Sequence, residues 1–397
     1  VGGSATIATG AALFKKCNEK QGIVVCNIGD GSLGRGPVWE AMNFACMDQF
    51  HTLWEKGQTQ GMPILYNIFN NSYGMGGQTR GETMAYDMLA RMGSGVSPTQ
   101  LHAERIDGYN PLAVIDAMER KLALLREGKG PVLLDTITYR LSGHSTSDQN
   151  AYRTKEEIEA WRAIDPIVTY RQSLVEAGVA PDSRFEEIMA ETVDRMTRIC
   201  RHASDPGVSP YADFDNDPAY VERLMFSNEK VPSFDTARQP EAITPKEECP
   251  LWQKIQSKER APFTKDGKPV SKMKLFNLRD GISEVILDKF YEDPTLVSYG
   301  EDVRDWGGAF AIYRGMADSI PRYRLFNSPI SEAAIVGTAV GYGMCGGRVI
   351  VELMYADFIG CAGDEIFNQL SKWQSMSAGI LKMPVVLRVS VGSKYGA

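Results

Sequence analysis

The residues best suited to chemistry lie in a glycine-rich turn, residues 29–34, which contains the acid Asp30. The turn follows an apolar run, residues 23–28, that predicts a buried parallel strand. It precedes Pro37, which suits the first position of a helix. Where a strand, a glycine-rich turn and a helix meet in this way, backbone N–H groups converge and the helix dipole favours an anion. The sequence therefore predicts a phosphate site at the end of this strand.

The charge of Asp30 narrows the choice of phosphate ligand. The spacing of the glycines matches the dinucleotide fingerprint G-x-G-x-x-G, which makes an NAD-binding enzyme one hypothesis. A carboxylate at this place would oppose a bare pyrophosphate, whereas Mg²⁺ bridges carboxylate and phosphate oxygens. The next predicted strand, residues 64–69, ends in Asn70 and Asn71, which on their own favour a turn. Beside Asp30, their amide oxygens favour a metal-diphosphate site over a dinucleotide site.

The composition excludes several other classes of function. The net charge of −7 argues against general nucleic-acid binding, which requires a basic face, and no apolar run approaches the roughly 20 residues that span a bilayer. The seven cysteines include no C-x-x-C pair. This predicts buried free thiols in a reducing compartment, the cytoplasm or a mitochondrial matrix, rather than zinc or disulfides. Because the chain starts without methionine and stops soon after an apolar strand, we expect it to be a fragment.

Apolar runs alternate with helical patterns along most of the chain. This alternation predicts an α/β protein with doubly wound parallel sheets, which bind ligands at the carboxyl ends of their strands. In the first half, we predict strands at 23–28, 64–69, 103–106 and 132–137, and helices at 9–20, 37–55 and 111–127, with charged helices up to about residue 201. Residues 205–274 are rich in proline and charge and predict an irregular linker. In the second half, we predict helices at 276–292, 331–345 and 361–378, and strands at 296–299, 349–354 and 384–389.

Motifs in both halves resemble one enzyme family. The pieces GDGSLGRGPVWEAMNFA, NNSYGMGG, GHSTSD and AYRTKEEIEAW resemble the α subunit of the decarboxylating component of thiamine diphosphate-dependent 2-oxo acid dehydrogenases. From about Lys274, the pieces GEDV, SPISEAAIVGTAVGYGMCGGR and ELMYADF resemble the β subunit. The resemblance implies a fused chain of two doubly wound parallel-sheet domains. They would be a diphosphate- and Mg²⁺-binding domain at 1–204 and a pyrimidine-binding domain at 275–397, joined by a linker at 205–274.

The resemblance also assigns residues of the first half to the cofactor site. It implies that Asp30, Asn71 and the main-chain oxygen of Tyr73 ligate Mg²⁺, and that N–H groups of the glycine-rich turn hold the diphosphate. Met75 would support the bent cofactor from below, and the backbone of Val1 would lie beside its aminopyrimidine. The implied cofactor-binding residues of this half are Val1, Gly29, Asp30, Gly31, Ser32, Asn71, Tyr73, Met75 and His144.

The residues implied to act in catalysis are acids of the second half and a histidine of the first. Glu332 matches the glutamate that bonds the pyrimidine ring nitrogen and promotes ylid formation, although alone it would be an ordinary acid at a helix N-terminus. Glu301 matches an acid that hydrogen-bonds this glutamate, and Phe358 matches an aromatic that stacks on the pyrimidine. In isolation they would be a surface acid and a core residue. His144 matches a histidine near the cofactor, on a loop that orders when cofactor binds, although a loop histidine is usually just solvated.

The implied function is oxidative decarboxylation of a 2-oxo acid, of the pyruvate or branched-chain type, with thiamine diphosphate and Mg²⁺. The acyl group would pass to the lipoyl group of an acyltransferase partner, and the chain would form a homo-oligomer, at least a dimer. Two alternatives stay open: another thiamine enzyme, such as an acetoin dehydrogenase or a transketolase-like enzyme, and a non-catalytic scaffold. The chain departs from the family in an insertion near residues 49–61, expected on the surface, and in Asn327, where an aspartate is usual.

Overall fold

The first half of the chain contains a parallel sheet. The structure, a computed structural model, describes residues 2–55, 57–225 and 235–392. The strands of the first half are β1 (Val24–Gly29), β2 (Ile64–Asn70), a short hairpin of β3 (Tyr73–Gly74) and β4 (Gly77–Gln78), β5 (His102–Asp107) and β6 (Val132–Ile137). Apart from the hairpin they form a parallel sheet in the order β1-β2-β6-β5. The predicted strands of this half are confirmed; β1, β2 and β6 are mainly apolar, whereas β5 carries several charged residues and lies at the edge of the sheet.

Helices flank this sheet and then continue as a charged helical region. They are α1 (Gly3–Cys17), α2 (Gly36–Ala45), α3 (Gln49–Thr52), α4 (Ala90–Val96), α5 (Pro111–Arg126), α6 (Lys155–Ala163), α7 (Pro166–Glu176) and α8 (Asp182–Ala203). The prediction of one helix over residues 37–55 is wrong, because the chain leaves the helix after Ala45 and starts again at Gln49. Within the described residues, no helix is long and apolar enough to cross a membrane.

The second half contains another parallel sheet, in the order β10-β9-β7-β8. Its strands are β7 (Val297–Gly300), β8 (Leu325–Asn327), β9 (Val349–Leu353) and β10 (Val385–Val389), and the remaining helices of the chain are α9 (Tyr220–Met225), α10 (Pro250–Gln256), α11 (Leu278–Glu292), α12 (Glu332–Met344) and α13 (Trp373–Met376). The prediction of a helix over 361–378 is wrong. A 3₁₀ turn (Ala356–Ala362) and a π-helical turn (Glu365–Leu370) precede α13, and Gly360 and Gly363 weaken a regular helix there.

The two sheets are joined through α1 and α12, which pack at very short range. A Cβ at Gly10 would collide with the carbonyl oxygen of Thr338. A Cβ at Gly341 would collide with the carbonyl oxygen of Ile7. Glycine is therefore required where the two backbones cross. Side chains of both sheets share one apolar cluster, which includes Phe44, Tyr66, Tyr299, Phe326 and Tyr342.

The insertion near residues 49–61 packs against the second sheet, so the expectation that it lies on the surface is wrong. Phe50 is fully buried and Trp54 is 4% exposed. Phe50 lies in α3 and Trp54 just after its end, and their rings meet edge to face at 4.8 Å. The Trp54 ring also lies 5.4 Å from that of Phe326 in β8.

Replacing Gly341 by alanine tests the crossing of α1 and α12. The new Cβ meets backbone, which cannot move aside, so we expect Gly341→Ala to lower the free energy of unfolding by about 1–3 kcal/mol or more. Gly95→Ala is the matched control, because Gly95 is exposed in α4 with no atom within 4 Å of its Cβ position. That change should be neutral or stabilising by up to ~1 kcal/mol. Urea unfolding of the full chain measures both, and equal midpoints for the two variants would contradict the account.

Candidate functional site

The glycine-rich turn after β1 holds a buried carboxylate. Asp30 begins a short 3₁₀ turn, Asp30–Gly34, and is 3% exposed. Its Oδ2 accepts a hydrogen bond from Thr79 Oγ1 at 2.5 Å, and the backbone N–H groups of Gly31 and Ser72 also donate to the carboxylate. Burial raises the pKa of Asp30, and no lysine or arginine in the described part of the chain pairs with it. A buried carboxylate without a positive partner is costly, so this site suits a cation.

The two asparagines after β2 have different roles. The Asn70 side chain lies within the sheet, where its Nδ2 donates to Asp135 Oδ1 at 2.9 Å. The Asn71 Oδ1 accepts from the Tyr73 backbone N–H at 3.0 Å and stays in the turn. Because Ser72 donates to the Asp30 carboxylate, the structure brings the turn that contains Asn71 beside Asp30, while the Asn70 side chain is engaged by Asp135.

The oxygen atoms at this turn are suitable ligands for Mg²⁺. They would hold the ion together with phosphate oxygens and not through a cluster of acidic side chains. Among the described residues, no group of three or more His, Cys, Asp or Glu side chains could hold a metal ion. A metal here would be held by Asp30, by amide and main-chain oxygens and by phosphate oxygens, which is how Mg²⁺ commonly binds. Space for the phosphate exists, because Gly29 is exposed and no atom lies within 4 Å of its Cβ position. The Met75 side chain is 66% exposed beside this turn.

Acids from both halves meet at the N-terminus of α12. Glu332 is the first residue of this helix, and Glu40 of α2 accepts a hydrogen bond at its Oε2 from the Ala334 backbone N–H, at 3.0 Å. Burial raises the pKa of Glu40, and the negative charge of Glu332 raises it further. Because α2 starts directly after the glycine-rich turn, this contact joins the predicted phosphate site to the predicted pyrimidine acid.

Two further acids lie in this region, of which Glu365 is buried and Glu301 is half-buried. Burial raises the pKa of Glu301 to about 7, and the charge of Glu332 also contributes. The Glu301 Oε1 is buried and has no hydrogen-bond partner among the residues that the structure describes. Glu365 is 1% exposed, and burial raises its pKa to about 7, with a smaller contribution from Glu40. The Glu301 carboxylate oxygen that lacks a hydrogen-bond partner in the described part of the chain suits a ligand whose ring can form a hydrogen bond with it.

The loop that contains His144 is tied to the Met75 turn. The Arg140 Nη2 donates to Met75 O and to Tyr152 Oη, both at 2.7 Å. The His144 backbone N–H donates to Asp148 Oδ2 at 2.7 Å, and Tyr152 donates to the same oxygen at 2.7 Å. These hydrogen bonds, of which the one from Tyr152 has the largest effect, lower the pKa of Asp148 to about 2. The exposed His144 is thereby held close to the predicted cofactor turn.

The remaining predicted residues are placed as follows. Phe358 is 43% exposed in a 3₁₀ turn, so it is free to contact a ligand and the alternative of a core residue is wrong. Ser32 is half-buried next to Gly31 in the glycine-rich turn. Val1 lies outside the described residues, so its predicted backbone contact stays a prediction.

Sequence reasoning missed Glu40, Glu365 and Arg140. Glu40 carried a weak signal, because it lies on the helix that directly follows the glycine-rich turn. Glu365 and Arg140 carried none that distinguishes them from ordinary surface residues. Their roles depend on tertiary contacts between segments far apart in the sequence.

Glu301 should make the stability of the unliganded protein depend on pH. Its pKa is 4.5 ordinarily and about 7 in the folded chain, so the folded state binds this proton more tightly than the unfolded state. Ionisation of Glu301 therefore costs the folded state free energy as the pH rises from 4.5 to 7, and the full cost is present above pH 7. Glu301→Gln removes this cost. Because Glu301 is only half-buried and solvent screens part of this cost, the variant should gain roughly 1–2 kcal/mol of stability relative to wild type as the pH rises from about 5 to about 8.

Thermal unfolding of both proteins across this pH range measures the effect. Glu119→Gln is the control, because Glu119 is exposed on α5. A constant difference between wild type and Glu301→Gln at every pH would contradict the assignment.

A glycine-rich turn on one parallel sheet and an acid-headed helix on a second match the arrangement that the resemblance implies, that of thiamine diphosphate-binding proteins with separate diphosphate and pyrimidine domains. Residues 275–394 match the family of the transketolase pyrimidine binding domain. Residues 1–208, more than half of the chain, match the family of the dehydrogenase E1 component. The chain therefore belongs to the dehydrogenase E1 component family, and the resemblance inferred from its motifs, like the predicted fold class, is confirmed.

Individual relatives match the first half. Pyruvate dehydrogenase E1 component subunit alpha of Rickettsia conorii is 34% identical over 202 residues, which are 49% of this chain and 57% of the relative. The somatic, mitochondrial subunit alpha of Bos taurus is 31% identical over 230 residues, 56% of this chain and 54% of the relative. The chain spans about half the length of the curated relatives it matches. A transketolase structure from Campylobacter jejuni aligns with a TM-score of 0.48 and 13% identity, over 92% of this chain and 49% of that one.

Proposed function

We propose that this chain decarboxylates a 2-oxo acid, with thiamine diphosphate and Mg²⁺ as cofactors. The observation that carries the proposal is the hydrogen bond from the Ala334 N–H to Glu40 Oε2, because it holds the two predicted half-sites together. Membership of the dehydrogenase E1 component family supports thiamine diphosphate as the cofactor. The names of the relatives favour pyruvate, while the GHSTSD loop resembles branched-chain enzymes, so the proposal covers both substrate types.

Residues of the first half would bind the diphosphate end. Asp30, the Asn71 amide oxygen and the main-chain oxygen of Tyr73 would hold Mg²⁺, and the buried, unpaired state of the Asp30 carboxylate supports this role. The backbone N–H groups of Gly31 and Ser32 would hold the diphosphate in the open space beside Gly29.

Residues of the second half would bind the pyrimidine end. When bound, thiamine diphosphate supplies the nucleophilic carbon and the electron sink that decarboxylation needs. Glu332 would hold a proton at the pyrimidine ring nitrogen, and Glu301, whose pKa is raised to about 7, would hydrogen-bond Glu332. The exposed ring of Phe358 would stack on the pyrimidine, and His144 would contact the substrate where it enters.

The assembly is part of the proposal. An acyl group formed at this site would pass to the lipoyl group of an acyltransferase partner, and the chain would form a homo-oligomer, at least a dimer. The limits of the two family matches support domains at 1–204 and 275–397 with a linker between them. A cytoplasmic or mitochondrial-matrix location stays a prediction from the cysteine pattern.

Isothermal titration calorimetry with thiamine diphosphate and Mg²⁺ tests the cofactor assignment. Asp30→Asn keeps the size of the side chain and removes the charge, so we expect the variant to bind at least about 100-fold more weakly. Asp116→Asn is the matched control, because Asp116 is exposed on α5. It should bind as wild type does. The proposal would be contradicted if the wild-type chain did not bind thiamine diphosphate, or if Asp30→Asn bound it with equal affinity. Binding of NAD instead would favour the dinucleotide-binding enzyme, and binding of neither cofactor would favour the non-catalytic scaffold.

A substrate panel separates the thiamine enzymes from one another. Reduction of a lipoyl domain that depends on pyruvate or a branched-chain 2-oxo acid would support the proposed reaction. Turnover of acetoin or of sugar phosphates alone would instead favour an acetoin dehydrogenase or a transketolase-like enzyme.

A further inference from the structure

The segment between α2 and β2 reaches the second half of the chain through an aromatic contact. Phe50 and Trp54 are buried, and the Trp54 ring lies 5.4 Å from the ring of Phe326 and 6.4 Å from that of Tyr323. Phe44 of α2 also packs on Phe326, with ring centroids 6.4 Å apart. These contacts all fall on β8 and on the residues that lead into it.

Hydrogen bonds from the same segment converge on the same strand. The Gln49 Nε2 donates to the backbone oxygen of Asn327 at 2.7 Å, and Trp54 Nε1 donates to Gln49 Oε1 at 3.5 Å. The Glu55 carboxylate accepts from the backbone N–H of Arg322 at 2.7 Å. The segment therefore holds the last residue of β8 and the residues that lead into this strand by directional bonds in addition to apolar packing.

Asn327 in turn connects the two loops that carry the predicted catalytic acids. Its Oδ1 accepts from the Arg304 backbone N–H at 2.7 Å, and its Nδ2 donates to Asp305 Oδ2 at 3.0 Å, which fixes the loop that follows Glu301. The next residue, Ser328, donates its backbone N–H to Gly300 O at 2.9 Å. From there the chain runs directly into Glu332.

The other end of the segment is anchored to the first half. The Lys16 ammonium of α1 donates to the backbone oxygens of Gln58, at 2.5 Å, and of Gln60. It also lies over the rings of Trp54 and Phe50, with the nitrogen 4.7 and 5.4 Å from their centroids. Lys16 is 8% exposed, so these carbonyl and ring contacts are what compensate its buried charge. The segment is thus held at both ends and spans the two sheets.

We propose that residues 47–55 and 57–61 form a positioning strap, in which Gln49, oriented by Trp54, holds Asn327 and thereby sets the positions of Glu301 and Glu332. The consequence for catalysis rests on the proposed function, whereas the strap itself rests only on the contacts above. Gln49 and Trp54 are positioning residues, because they act through Asn327 and touch no predicted reacting atom.

Amide hydrogen exchange of the full chain without cofactor tests the strap independently of any activity. Gln49→Met keeps the length of the side chain and removes the donor to Asn327. We expect peptides covering 300–305 and 327–332 to exchange roughly 2- to 10-fold faster in the variant, with unchanged exchange in β1 and β2. Thr52→Ala, on the exposed side of α3, is the matched control and should leave all these peptides unchanged. Unchanged exchange in 327–332, or faster exchange throughout both sheets, would overturn the proposal.

The rate at which the thiazolium C2 proton of bound thiamine diphosphate exchanges with deuterium tests the catalytic consequence. A displaced Glu332 should slow this exchange in Gln49→Met by roughly 10-fold or more, while the affinity for the cofactor stays near that of wild type. If Gln49 had a purely structural role, Gln49→Met would lower the affinity for thiamine diphosphate and leave the C2 exchange rate of the bound cofactor unchanged. That result would overturn the positioning role. If the wild-type chain binds no thiamine diphosphate, the proposed function fails, and the amide exchange alone decides whether the strap exists.

Discussion

The close crossing of α1 and α12 is the constraint on which the rest of the structure depends. Gly10 and Gly341 let the two backbones approach to a distance that any side chain would prevent. This crossing sets the distance between the two sheets, and with it the position of α2 relative to the N-terminus of α12. Glu40 can then reach the Ala334 N–H, which links the glycine-rich turn to the helix headed by Glu332. A site shared by two sheets needs such a rigid connection, because a small shift of either half would separate its two ends.

Three acids at the site, Asp30, Glu301 and Glu365, form no ion pair with any residue that the structure describes. Asp30 on one side and Glu365 on the other are buried, Glu301 is half-buried, and burial disfavours the charged form of all three. The apolar cluster shared by the two sheets compensates the cost of holding them there. A metal ion at Asp30, and a ligand ring that carries a proton near Glu301 and Glu365, would reduce the free-energy cost of burying these acids. The electrostatics of the unliganded chain thus favour a ligand with a cation-bound anion at one end and a basic ring at the other.

The sequence predicted the parts of the molecule that are encoded locally. The run before Asp30 and the glycines after it form a strand, turn and helix start within fifteen residues, so these local elements were predicted without any knowledge of tertiary contacts. β8 was missed because it has only three residues and no alternating pattern that could be measured. Glu40 was missed because its role depends on Ala334, 294 positions away. The burial of Phe50 and Trp54 was missed because the segment is rich in polar residues, and only the second sheet gives its two aromatic side chains a place to pack.

The central claim is that one chain supplies both ends of a thiamine diphosphate site. A crystal of the full chain grown with thiamine diphosphate and Mn²⁺, which replaces Mg²⁺ and scatters anomalously, tests it most directly. The account predicts an anomalous peak about 2.2 Å from an Asp30 carboxylate oxygen, with the Asn71 turn also in its ligand shell. It also predicts a pyrimidine ring nitrogen about 2.6–3.2 Å from the carboxylate of Glu332. Cofactor density elsewhere, or a metal bound without contact to Asp30, would contradict it.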